Sequence, residues 1–272
     1  TVTSDSEDGE GVADTGDKVT ITGENFGTDP SDISVSFNGT PAEFELVDES
    51  TIVATTPADY QTGSVTVTIH GYTMTGGAMF NPNSKGDVTV LYLQNYKQPF
   101  AKANDESWKN GEWWTPAVWN QNAASFNAKG NTTVSGMQYK SEEGLTLAFQ
   151  NGWDKEAYTD GKMWQVATLR PGRYRLEVTY AYTLVVTDAG NFISVLIAKG
   201  DSESDIPNVS DLEQLNGVYV AYDKMGTAND SGTLVTPSFE VTETTDVVIG
   251  FLTSLAKGNS YFKVTELKLI LE

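Results

Sequence analysis

The chain has 272 residues, no cysteine, and 37 Asp+Glu against 17 Lys+Arg, for a formal net charge of −20. The length allows one or two domains, each with its own core. The charge excludes nucleic acid and anionic bilayers, which need a positive surface. The missing thiols exclude disulfide scaffolds, thiolate zinc sites, iron–sulfur clusters and cysteine nucleophiles. One histidine, His70, excludes multi-histidine metal sites and reads as a strand-end surface residue. No apolar run approaches the ~18 residues of a membrane span. With 20% charged residues and abundant Thr, Gly, Asn and aromatics, the composition is that of an all-β extracellular protein.

Residues 1–84 carry 14 acids and a single base, Lys18. The opening run Asp5-Ser6-Glu7-Asp8-Gly9-Glu10 lacks the alternating ligand spacing of a calcium loop and reads as a solvated tether. Apolar residues then alternate with Thr and Ser at Val19–Ile21, Ile33–Phe37, Ile52–Thr55 and Val65–Ile69, the pattern of half-buried strands. Asp29-Pro30, Asn38-Gly39, Pro57 and Thr62-Gly63 mark the turns, and Asn-Gly suits a tight hairpin because both residues accept positive φ. Short strands at this spacing make a small β-sandwich. The stretch Gly76–Gly86, rich in Gly, Pro and Asn, reads as a linker, so the expected domains are 1–84 and 85–272.

The residues from Gly16 to Gly27, Val35-Ser36-Phe37-Asn38-Gly39-Thr40-Pro41-Ala42, Ile52–Pro57 and Gly63–Val67 resemble an IPT/TIG domain. That resemblance implies an immunoglobulin-like sandwich of the kind used in cell-surface proteins and some transcription factors. The transcription-factor branch is disfavoured because so acidic a module cannot grip phosphates. The family starts with an apolar strand before the acidic turn, and here only Thr1-Val2-Thr3 stands in that place.

Downstream, strands are expected at Val88–Leu93, Leu145–Gln150, Met163–Leu169, Arg173–Thr183, Phe192–Ala198, Val218–Tyr222, Leu234–Val241, Val247–Leu252 and Tyr261–Leu271. Tyr174, Leu176, Val178 and Tyr180 share one parity, and with Phe251 they are assigned to the core. Trp164, inside an expected strand, is assigned there too. Only Ser210–Leu215 reads as helix. Strands of this number with one parity inside predict a two-sheet sandwich, a jelly roll.

Trp164-Gln165, Leu169 through Tyr174, Pro237–Val241 and Val247–Phe251 are similar to the galactose-binding-like and carbohydrate-binding-module sandwiches. An IPT/TIG module before such a domain resembles the surface glycan-binding lipoproteins of Bacteroidetes, whose C-terminal domains include the DUF5013 type. The resemblance implies an extracellular, cell-surface location, with a lipid anchor preceding Thr1 as the membrane link.

All six Trp fall between Trp108 and Trp164, amid Asn, Gln and Gly. Sugars offer C–H faces to rings and hydroxyls to short polar side chains, so a glycan site needs both together. Trp113, Trp114, Trp119 and Trp153 are the expected platforms, with Asn120, Asn122, Asp154 and Tyr158 as hydrogen-bonding partners. The competing reading is that these rings fill the sandwich core. No P-loop, dinucleotide fingerprint, nucleophile elbow or marked carboxylate pair points to catalysis.

The leading function is non-catalytic binding of a neutral oligo- or polysaccharide by a monomer, the first domain acting as spacer and the second as reader. A surface adhesin with a protein partner is the alternative, and a glycosidase the third reading. No cofactor is expected beyond a structural calcium, for which Asp154–Asp160 or Asp201–Asp205 could supply oxygens. Any bound ion is then a hard cation. Melting with and without EDTA checks this: calcium is expected to restore any lost stability, and restoration by zinc alone contradicts it.

Overall fold

Alternation with period 2 builds both parts of the chain. The structure, a computed structural model, describes residues 1–6, 11–106, 112–126, 135–151, 157–185, 190–226, 230–256 and 260–272. It divides into two units, Thr1–Leu91 and Tyr92–Ile270.

The first unit contains β1 (Val2–Ser4), β2 (Lys18–Thr22), β3 (Ile33–Phe37), β4 (Thr40–Ala42), β5 (Phe44–Asp48), β6 (Thr51–Thr55), β7 (Gly63–Ile69), β8 (Tyr72–Met79) and the two-residue β9 (Gly86–Asp87). Two antiparallel sheets form, ordered β1-β2-β6-β5 and β4-β3-β7-β8. Val19, Ile21, Ile52 and Ala54 of one pack in a single core with Val35, Phe37, Val65 and Val67 of the other. Fully buried Tyr60 sets its ring edge-on to Phe37 at 5.4 Å and donates its hydroxyl to the Ala13 carbonyl. Burial, reinforced by the carboxylates of Asp14 and Asp17, pushes its phenol pKa far above the usual range. Asn38 and Gly39 both take positive φ, 43° and 85°, as the hairpin requires.

The short N-terminal strand is in place, with Val2 opposite Ile21. The expected linker is not one at its start. Gly76, Gly77 and Ala78 belong to β8, and Met79, Phe80 and Asn81 are buried. Glycine is needed here for closeness rather than flexibility, since a Cβ on Gly76 would stand 2.7 Å from Val2 Cγ2. Asn81 then ties the strand end to Tyr60, donating to its carbonyl at 2.7 Å. The strand expected at Val88–Leu93 is instead a helical turn, α1 (Thr89–Tyr92). Asp87 Oδ1 accepts from the Thr89 amide at 3.0 Å, a side-chain turn that competes with strand pairing.

The second unit contains β10 (Trp113–Trp114), β11 (Asn120–Gln121), α2 (Ala123–Phe126), β12 (Ser135–Lys140), β13 (Gly144–Asn151), β14 (Tyr158–Leu169) and β15 (Gly172–Tyr180). It continues with β16 (Phe192–Lys199), α3 (Val209–Leu215), β17 (Val220–Lys224), β18 (Gly232–Val235), β19 (Phe239–Val241), β20 (Thr245–Leu255) and β21 (Ser260–Leu271). The larger sheet runs β10-β12-β13-β21-β15-β18, with β19 also on β15, and the smaller is β11-β14-β20-β16-β17. The single strand expected over Leu234–Val241 is broken, because Pro237 cannot donate to a ladder. Thr236 bridges the gap by accepting the Leu176 amide on its hydroxyl at 2.9 Å.

Phe251 of the smaller sheet meets Phe149 and Phe262 of the larger at ring-centroid separations of 5.1 and 6.4 Å, and Trp119 at 5.7 Å. On β14 the inward residues are Met163, Gln165, Ala167 and Leu169, while Lys162 and Trp164 point to the other face. There Trp164 packs with Leu196, Ile206, Leu212, Val220, Val248 and Leu252 in a second apolar layer beneath α3. The close approach of β20 to β14 depends on Gly250, where a Cβ would lie 2.1 Å from the Met163 carbonyl oxygen. Gly250→Ala is expected to cost about 3 kcal/mol through forced strand separation, readable as a lowered urea midpoint.

Candidate functional site

The chain from Gly200 to Tyr219 covers the outer face of the smaller sheet, and residues of this cover, with Lys162 of the sheet, line an open cavity of about 470 Å³. This falls within the ~300–1,000 Å³ of ordinary ligand pockets. Its apolar wall is Ile206, Pro207, Leu215 and the Tyr219 ring, and its polar wall is Lys162, Ser204, Asp205, Asn208 and Asp211.

Lys162 is 6% exposed. Its ammonium donates to the carbonyls of Ile206 at 2.6 Å and Glu203 at 3.3 Å. Among the described residues it forms no ion pair. Burial therefore lowers its pKa, against the opposing pull of the Glu203 and Asp160 carboxylates. Stability contributed through this group rises with pH between the lowered folded value and the ordinary one, because the unfolded chain there holds the extra proton.

Asp205 organises the covering turn. Its Oδ2 accepts from the Ser202 hydroxyl at 2.6 Å and from the amides of Ser202 and Asp201, each at 3.0 Å. Its Oδ1 accepts from the Tyr219 hydroxyl at 3.1 Å, which fixes that ring against the cavity. These bonds, the Ser202 hydroxyl first, hold its pKa below the ordinary value. Asp160 Oδ1 accepts from the Val209 amide at 2.8 Å and anchors the start of α3.

The sequence-predicted residues are distributed differently. Trp113 and Trp119 are core rings, 2% and 5% exposed, and Trp119 donates its indole N–H to the Asn95 carbonyl at 3.0 Å. Neither offers a face to a ligand. The two residues of β10 point to opposite sides, as expected for neighbours on a strand. Trp114 is half-buried, with the Lys102 ammonium 5.0 Å from its ring centroid, and Asn120 is exposed. Asn122, 7% exposed, is a scaffold. It accepts from the amides of Lys162 and Ser125, both at 3.0 Å, and donates to the Asp160 carbonyl at 2.8 Å. Tyr158 is buried and bonds the Thr253 hydroxyl at 3.0 Å, and burial raises its pKa. Trp153 and Asp154, like Trp108, lie outside the described residues. Trp164 is buried at 7%, in the layer under α3.

The structure thus ties Asn122 to the Lys162 backbone and places none of the Trp residues it describes in the cavity lining. Sequence reasoning missed Lys162, Asn208, Asp211 and Tyr219. One signal was available: a lysine directly before the apolar run Met163-Trp164, at the head of an expected buried strand, needs a polar cover. Of the calcium candidates, Asp205 spends its oxygens on local donors. Among the described residues no group of three or more His, Asp or Glu could hold a metal ion.

These features define a class: an immunoglobulin-like sandwich followed by a larger jelly-roll sandwich with an open, polar cavity over its smaller sheet. A domain of unknown function, DUF5013, matches residues 94–250, and an IPT/TIG domain matches residues 9–84. The chain belongs to the DUF5013 family and carries an IPT/TIG domain ahead of the family's own. No curated protein matches it. Among solved structures it is similar to TmCBM61 in complex with β-1,4-galactotriose, at 11% identity and TM-score 0.37, over 66% of this chain and all of that one. A candidate glycoside hydrolase from Bacteroides thetaiotaomicron matches at 11% identity and TM-score 0.41, over 85% and 83% of the two chains. A candidate sugar-binding protein from the same organism matches at 9% identity and TM-score 0.35, over 66% and 99%.

Asp205→Ala removes the acceptor shared by four donors and is expected to cost about 1 kcal/mol at pH 7, as loss of a capping side chain does. The carboxylate's stabilisation is present above its ordinary value of 3.8 and disappears as pH falls through the lower folded value. Urea titrations of both proteins at pH 7 and in acid check this: the gap between them should close in acid.

Proposed function

We propose that the chain is a non-catalytic, cell-surface glycan-binding protein in which the IPT/TIG unit is a spacer and the DUF5013 unit reads the sugar. The observation that carries this reading is the cavity over β14. It combines a fixed aromatic ring, an apolar floor and a set of short polar side chains, the mixture a sugar's two kinds of surface require. Trp114 and Asn120, the predicted residues with accessible surface among those described, do not line it. Glycoside hydrolysis would need a protonated carboxyl facing a second carboxylate. Asp205 is held ionised by its donors, which suits an acceptor and not an acid. The net charge of −20 favours neutral glycans at low salt.

Burial of part of one ring plus a few net hydrogen bonds, less the cost of association, gives a dissociation constant between about 10 μM and 1 mM. Retention on a polysaccharide then depends on many sites acting together. A glycan array followed by calorimetry tests the reading. Binding of a neutral polysaccharide is expected, with no reducing ends released on prolonged incubation. Failure to bind any glycan, or steady release of reducing sugar, would overturn it.

A further inference from the structure

We propose that the cavity over β14 is the sugar subsite itself and that it reads two neighbouring hydroxyls of a neutral sugar, with Lys162 Nζ donating to one and Asp211 accepting from the other. This rests on the glycan-binding reading and adds the atoms and the ligand charge. An ammonium has three N–H groups. The carbonyls of Ile206 and Glu203 take two, leaving the third for the cavity that the side chain lines. An amine so deeply buried keeps a strong demand for an acceptor, because an unmet donor in an apolar setting is costly. Asp205 cannot meet it, being spent on Ser202, Asp201 and Tyr219.

Asp211 lines the same cavity and is exposed, and among the described residues its carboxylate engages only the neighbouring Ser210 hydroxyl, at 3.1 Å. Lys162 can only donate and ionised Asp211 can only accept. A hydroxyl does both, so adjacent hydroxyls on one ring satisfy the two together and bond to each other's neighbours besides. Charged sugars fit less well on either side. A uronic acid brings its carboxylate against Asp211 and Asp205, whereas a protonated amino sugar meets the buried ammonium of Lys162. Half-buried Leu215 and the ring of Tyr219 are left for the C–H face.

The test uses the full chain and three sets of methyl glycosides: neutral hexoses, glucuronic acid and glucosamine, followed by ligand-observed NMR and calorimetry. Neutral hexosides are expected to bind and both charged sets to bind at least about fivefold more weakly. Lys162→Met should weaken neutral binding by about tenfold or more, the loss of one hydrogen bond from a charged donor. Should that variant melt early, Ser204→Trp supplies the second measurement, because Ser204 is exposed and a bulky ring there fills the cavity without touching the core. Asp211→Asn should weaken neutral binding and selectively relieve the exclusion of the uronic acid. If neutral hexosides bind Ser204→Trp and Lys162→Met as tightly as the native chain, the subsite lies elsewhere and this inference fails while the glycan reading stands. Preferred binding of the uronic acid through Lys162 overturns the neutral assignment. Absence of binding by every glycoside, and by polysaccharide as well, removes both.

Discussion

Phe251 is the point on which the second unit turns. Its ring lies in the middle of the sandwich, in contact with rings from the facing sheet and with Trp119. Aromatic pairs at such separations contribute beyond their buried area, by about 0.5–1.5 kcal/mol each. With that layer fixed, β14 and β20 pair without interruption from Gly161 to Leu169. The outer side of the same strands then becomes a firm base. Lys162 and Trp164 stand on it, and the chain around α3 folds over them.

The strands were legible because their periodicity is strong. Ile33–Phe37, Gly172–Tyr180 and Val247–Leu252 alternate or run apolar over enough residues that no other structure buries them well. The inward parity of Tyr174, Tyr180 and Phe251 could be read directly for the same reason. Local polar chemistry was less visible. An aspartate side chain at Asp87 turned an apparent strand into a helical turn, and pairing with β7 made a strand from what composition marked as the start of a linker. Both outcomes depend on a partner that pattern alone does not reveal.

The site was harder still. Composition pointed to the Trp-rich stretch, yet a tryptophan in a Gly- and Asn-rich segment can be core when the segment itself lies against the sandwich, as Trp119 does through Asn95. Asn122 has the residue type of a sugar contact, but it is spent holding β14. Cavity residues such as Tyr219 and Asp211 lie about 50 residues from Lys162 along the chain and have no motif. Only the fold brings them together.

The alternation on β14 has one consequence for how the protein reaches its structure. Side chains on a strand change faces every residue, so sliding β14 by a single position along β20 exchanges its two sides entirely. Lys162 would then enter the layer of phenylalanine rings, and Met163 would be offered to the carbonyls of Glu203 and Ile206, which need a donor. The penalty for burying an unpaired ammonium among rings is several kcal/mol, comparable to the whole stability of many domains. An apolar residue at position 162 would leave the two alignments much closer in energy. The lysine therefore adds to what holds the long β-ribbon in one alignment, beside the close approach at Gly250.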